Sequence, residues 1–407
     1  MNKMPLVCLL IGFALVACDD DDISNPQDSG VSDAGDVTVD AVGDGGEGDA
    51  QADADASQVP DPSTYAECAP YAVAGPNAVG VTTVEIDGAP VEIWYPAAEA
   101  PSDDQSPVTY DLRDWLPDDE RDKIPEDAPT TYTTDAYRDL AIADGEHPVV
   151  LFSHGFAGYR MQSTEYTTHL ASWGFVVASP EHPERGLEAV LNNNINFTGT
   201  EDIGALVGTL DWLEGADAEA DGFFEGHLKL DEVGATGHSA GGRAALATAA
   251  QDERIVSVVG LAPALGVGGE DPTGVDARQV HIAGGDDGLV SPGGIRSFWD
   301  DQPAPKLYLS IAGAGHLAFS DICLIGQEAG GILQIAQDNG VSVNPVVVGL
   351  ASDGCRDDQL APQASWPVFH HFATAELRFA LGLDGEPTSL DEAASQCFGD
   401  LVEDYAD

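Results

Sequence analysis

Residues 233–250, VGATGHSAGGRAALATAA, decide how the chain is read. A β-prone apolar run enters a turn flanked by glycines, and an alanine-rich, helix-favouring run leaves it. Within the turn, Gly237-His238-Ser239-Ala240-Gly241 fits G-x-S-x-G. In a nucleophile elbow of this kind a serine sits on a strained strand-to-helix turn, and neighbouring chains approach too closely for any Cβ at the flanking glycines. The turn lifts the hydroxyl off the sheet and aims the free N–H groups of the next helix at the chemistry. Five residues alone are a weak signal, but the strand-like run before them and the helical run after them give it weight.

Working outward, apolar runs of the sort buried in a parallel sheet alternate with helical patterns. HPVVLFSHG (147–155), GFVVASPEH (174–182), IVSVVGLAP (255–263), RQVHIAGG (278–285) and KLYLSIAG (306–313) read as strands. MQSTEYTTHLASW (161–173), EDIGALVGTLDWLEG (201–215) and VFHHFATAELRFALGL (368–383) read as helices. GVTTVEI and PVEIWYP alternate like an antiparallel pair joined by DGA. Residues 97–146, polar and proline-rich, read as an insertion or a long surface excursion. The expected architecture is an α/β fold of the hydrolase type, a mostly parallel central sheet covered by helices on both faces.

A serine hydroxyl needs a base, and the base needs an orienting acid. In this fold the chain order is serine, acid, histidine. Asp286 and Asp287 follow one strand and His316 follows the next, each at a strand's carboxyl end, the functional rim of such sheets. Asp287 is preferred because GLVSP after it would turn its carboxylate towards the rim, with Asp286 as the alternative. His238 is read as buried structure. One oxyanion donor is expected at the N–H of Ala240 and the other at Phe156, in the SHGFAG loop. No metal-ligand spacing stands out, and no cofactor is expected.

The N-terminus, MNKMPLVCLLIGFALVAC, has a basic start and an apolar run too short to span a bilayer. Its LVAC resembles the lipobox of bacterial lipoproteins. That resemblance implies a signal peptide over residues 1–17 and a lipidated Cys18, hence a chain tethered in the cell envelope. Residues 18–63, rich in Asp, Gly, Ala and Ser, lack the apolar surface to fold and read as an acidic tether; 64–407 read as the catalytic domain. With Cys8 removed and Cys18 lipidated, four cysteines of an exported chain suggest two disulfides, and the favoured pairs are Cys323–Cys355 and Cys68–Cys397. The 71 acidic against 15 basic residues give a net charge of -56, which repels nucleic acid and other polyanions.

Together VVLFSHGFAGYR, LASWGFVVASPEHPERG, GHSAGG, AGGDDGLVSP and GAGHLAFSDIC resemble bacterial α/β-hydrolases of the platelet-activating-factor acetylhydrolase and predicted dienelactone hydrolase group. The cutinase-like polyester hydrolases share much of this outline. The resemblance runs over residues 70 to 385 and implies Ser239 as nucleophile, Asp287 as acid, His316 as base, and Phe156 and Ala240 as oxyanion donors. Dienelactone hydrolases proper carry a cysteine where Ser239 stands, and the polyester hydrolases a methionine where Ala240 stands. The function expected is lipid-degrading hydrolysis of small or lipid carboxylic esters with short acyl groups, such as acetylated phospholipids. A polyester hydrolase, a serine peptidase and a non-catalytic envelope-binding protein are the alternatives.

Overall fold

The structure, a computed structural model, describes residues 59–195, 199–266 and 272–407. The expected signal peptide, Cys18 and most of the tether lie outside the described residues.

A β-hairpin opens the fold: β1 (Val79–Ile86) and β2 (Ala89–Pro96) pair antiparallel around Asp87-Gly88. Both turn residues take positive φ, 52° and 82°, as a tight hairpin requires. The excursion that follows carries β3 (Thr109–Asp111), α1 (Asp118–Arg121), β4 (Thr131–Thr133) and β5 (Ala136–Arg138). The alternating part then runs β6 (His147–Ser153), α2 (Thr164–Ser172), β7 (Val176–Pro180), α3 (Leu187–Leu191), α4 (Thr200–Asp217), β8 (Leu228–His238), α5 (Ala240–Ala249), β9 (Ile255–Leu261), β10 (Arg278–Gly284), α6 (Pro292–Asp300) and β11 (Lys306–Ile311). The chain closes with α7 (Gly331–Asp338), α8 (Pro345–Ser352), α9 (Pro362–Ala380), α10 (Glu392–Cys397) and β12 (Val402–Ala406).

One sheet takes the order β12-β11-β10-β9-β8-β6-β7-β2-β1-β5. From β7 to β11 every neighbouring pair is parallel, while β2 joins β7 and β12 joins β11 antiparallel. Side chains alternate between the two faces, as the period of a strand dictates. Val150 and Phe152 of β6 pack with Leu170 of α2 and Phe369 and Phe372 of α9 in one cluster. Val149 and Leu151 pack with Leu206 and Leu210 of α4 and Leu246 of α5 in the other. This is the α/β-hydrolase fold. Each strand run read from the sequence is a strand here.

Two readings need correction. The 97–146 stretch is not only a surface excursion. Its β5 extends the sheet, and Tyr110, Leu112 and Trp115 are buried, with the Trp115 and Tyr159 rings tilted against each other at 4.4 Å. Short apolar clusters without a period, set among prolines and acids, hide this packing in the sequence. The folded unit also begins before residue 64. A 3-10 turn over Pro62–Tyr65 brings Tyr65 within 4.8 Å of Phe398, and the cross-link from Cys68 to Cys397 holds it there. Both expected disulfides, Cys68–Cys397 and Cys323–Cys355, are present. Among the described residues no helix is long and apolar enough to cross a membrane.

Candidate active site

The strand ends set the stage. Ser239 joins β8 to α5 with φ 57° and ψ -121°, a backbone that a non-glycine residue adopts only where its surroundings enforce it. Its N–H donates to the Leu261 carbonyl at 2.9 Å, and its own carbonyl accepts from Ala264 at 2.9 Å. A Cβ at Gly241 would lie 1.9 Å from the Ser153 carbonyl oxygen, and one at Gly237 would lie 2.4 Å from that of Gly241. The two glycines of the motif are therefore steric necessities. Ala240 is the first residue of α5, so its N–H has no acceptor within the helix.

His316 follows β11, and Asp287 follows β10. His316 Nδ1 donates to Asp287 Oδ2 at 2.7 Å, with both side chains buried. The other oxygen of Asp287, Oδ1, accepts the N–H groups of Leu289 at 2.8 Å and Val290 at 2.7 Å. These donors come from the GLV stretch just after it and fix the carboxylate's rotamer. Asp286, the sequence alternative, is exposed, and it is Asp287 that the imidazole bonds. Ser239 and His316 line one cavity together with Phe156. The 154–158 loop lies close by: a Cβ at Gly155 would sit 3.4 Å from that of Ser239.

Residues that the sequence reading passed over hold this loop. Arg185, fully buried, donates to the carbonyls of His154 at 2.6 Å and Gly155 at 2.7 Å, to Ser153 Oγ at 3.0 Å, and to Asp202 Oδ1 at 2.8 Å. Burial lowers the guanidinium's pKa, and Asp202 opposes that. Arg185 thus ties two successive carbonyls of the loop to one buried group. Gln162 links the loop to the elbow. Its Oε1 accepts the Gly155 N–H at 2.9 Å, and its Nε2 donates to His238 Nδ1 at 2.7 Å. His238 Nε2 then donates to the His316 carbonyl at 2.9 Å. Burial, then the neighbouring His316, drives the pKa of His238 well below the usual histidine range. His238 is thus the buried structural residue expected from the sequence, and it joins three loops as a neutral ring.

The cavity in front of Ser239 is walled by aliphatic groups. Leu112, Leu116 and Ile124 come from the excursion, Leu187 and Leu191 from α3, Ile332 and Ile335 from α7, and Val347 and Leu350 from α8. Leu317 and Ile322 add an apolar wall on the His316 side. The walls from α7 and α8 were not foreseen. Both are eight-residue helices, too short for a periodic signal to stand out.

Two family models match parts of the chain. Residues 67–195 match the family model described as platelet-activating factor acetylhydrolase, isoform II. Residues 139–274, which include the elbow, match the chlorophyllase model. Both families are of the α/β-hydrolase type, and the two matches indicate ester hydrolysis. By its sheet order, its elbow and these two matches, the chain is an α/β-hydrolase similar to the platelet-activating-factor acetylhydrolase and chlorophyllase families.

Proposed function

We propose that the protein is a serine carboxylic ester hydrolase that works through an acyl-enzyme on amphiphilic esters. Ser239 Oγ attacks the acyl carbonyl as His316 takes its proton at Nε2. Asp287 keeps the other ring nitrogen protonated and stabilises the imidazolium. The N–H groups of Ala240 and Phe156 receive the developing oxyanion, each donor contributing about 3 kcal/mol at the transition state. His316 returns the proton to the leaving alcohol, and water, activated by the same ring, releases the acyl group. No cofactor enters these steps.

The observation that carries this reading is the His316–Asp287 hydrogen bond on the rim of a cavity onto which Ser239 opens. The aliphatic lining favours a substrate with a hydrocarbon chain, such as a lipid bearing a short acyl ester. Its chain would lie between α7, α8 and the 97–146 excursion. A panel of nitrophenyl esters of increasing acyl length, with an acetylated phospholipid beside it, tests the assignment. Ser239→Ala should keep the fold and lose at least about a thousandfold in kcat/KM. A fluorophosphonate probe should label the wild type and not the variant. Wild-type protein that neither hydrolyses any ester nor takes the label would return the chain to the envelope-binding reading. Faster turnover of peptide anilides than of esters would favour a peptidase.

The lipobox-like LVAC supports a second part of the proposal, attachment to a bacterial membrane through acyl chains on Cys18. Labelled palmitate should enter the wild type and be absent from Cys18→Ser, which should also leave the membrane fraction. An unlabelled wild type would end the anchor reading.

A further inference from the structure

We propose that Asp353 and Gln359 are positioning residues, clamping the Asp287 loop and the His316 loop to each other and to the segment that walls the cavity. The proposal rests on the esterase reading only for what the clamp serves; its geometry stands apart from it.

The two loops leave different strands and meet directly where the Asp286 N–H donates to the Ala314 carbonyl at 3.0 Å. Asp353, 3 % exposed, sits just after α8 and bridges them with one carboxylate. Its Oδ1 accepts the main-chain N–H of His316 at 3.0 Å, and its Oδ2 accepts that of Gly288 at 2.9 Å. Its own carbonyl accepts the Leu317 N–H at 2.8 Å. Gln359 completes the bracket. Its Nε2 donates to Asp353 Oδ1 at 2.9 Å and to the Asp286 carbonyl at 3.1 Å, while its Oε1 accepts the Gly354 N–H at 2.6 Å. Asp287 therefore stands between two residues whose main-chain groups are both held from outside: Asp286 by Gln359 and Gly288 by Asp353. His316 is gripped at its N–H by Asp353 and at its carbonyl by His238. Gly354 has φ 99°, and a Cβ there would lie 2.5 Å from the Leu317 nitrogen, so the segment is pressed against the histidine loop.

Chemistry dictates the residue type. Two N–H donors on separate loops need two acceptor oxygens on one rigid group, which a carboxylate provides. An asparagine offers one oxygen and turns an NH₂ towards the second N–H. The clamp also has a carrier: Cys355, two residues on, is bonded to Cys323 beside the His316 loop, and the segment so closed bears α7 and α8. A chain pressing on those helices therefore pushes against the post that sets the spacing of acid and base.

The test compares wild type, Asp353→Asn, Asp353→Ala and Gln359→Ala. Asp353→Ala should lower kcat by about tenfold or more, since small displacements of catalytic groups are expensive, with KM held within about twofold. Asp353→Asn should recover part of the loss, and Gln359→Ala should show a smaller loss in the same direction. A second readout needs no substrate: the downfield proton resonance of the His316–Asp287 hydrogen bond should be sharp in wild type and broadened or absent in Asp353→Ala. If that variant does not fold, Gln359→Ala carries both measurements. Variants that keep wild-type kcat and the wild-type resonance while losing only thermal stability would overturn the clamp, as would a wild type without the resonance. A wild type that shows the resonance but cleaves no ester would sink the functional reading and leave the resonance to judge the clamp.

Discussion

A carboxyl group packed away from water keeps its proton until the pH rises far above its ordinary range, unless donors surround it. Glu165, in the first turn of α2, is partly buried and stands near other carboxylates. Burial, then the neighbouring carboxylates of Asp321 and Asp135, push its pKa from 4.5 up to about 8. Between those two values the folded chain holds a proton that the unfolded chain has released, so stability falls as the pH rises. The penalty is absent below pH 4.5 and fully present above about 8. Glu165→Gln removes it and leaves the main-chain N–H that caps onto Asp321 Oδ1 at 3.1 Å. The variant should melt with the wild type near pH 4.5 and at a higher temperature above about 8. Parallel Tm profiles for the two proteins would show that Glu165 ionises normally. The same distinction, between what a residue is and what surrounds it, governs how much of the site the sequence could reveal. Ser239, Asp287 and His316 each follow a strand at a local motif, and local motifs are legible. Gln162 bonds a partner 76 positions away, Arg185 one 31 positions away, and Asp353 one 65 positions away. Nothing near them in the chain announces those partners.

At the scale of elements, legibility followed burial on both sides. Strands β6 to β11 read as apolar runs because helices cover both faces, and a strand covered on both faces has no reason to alternate. The hairpin read correctly because Asp87-Gly88 accepts the positive φ values its turn demands. The edge strands were invisible for the complementary reason. VEDYA, β12, is acidic and half-exposed, and it becomes a strand only because the open edge of β11 offers it partners. Charge is the ordinary dress of such an edge, since it discourages pairing with other chains. The cavity walls were missed on different grounds: the eight-residue helices α7 and α8 are short and lie within the loop that the Cys323–Cys355 bridge closes. The elements that carry Ser239, Asp287 and His316 were thus readable, and the short helices that line the cavity were not.

For the molecule as a whole, the two cross-links do different work, and they can be told apart. A net charge of -56 makes the compact state repel itself, and cysteine bridges oppose that by confining the unfolded chain. Cys68–Cys397 closes a loop across 329 positions and ties the first turn of the folded unit to its last helix. The other spans 32 positions around the cavity walls. Loop-closure entropy grows with the logarithm of length, so the long bridge should contribute about 6 kcal/mol and the short one about 4. Their effects on turnover should diverge. The long bridge packs by Tyr65 and Phe398, which are not among the residues lining the cavity. Replacing Cys68 and Cys397 together by serine should therefore lower unfolding free energy by about 6 kcal/mol in a denaturant titration and leave kcat and KM at 25 °C near wild type. A matched loss of turnover at a temperature where the variant is fully folded would mean that the ends of the chain reach the site after all. It would move the source of the site's rigidity from the loops at the strand ends to the closure of the whole domain.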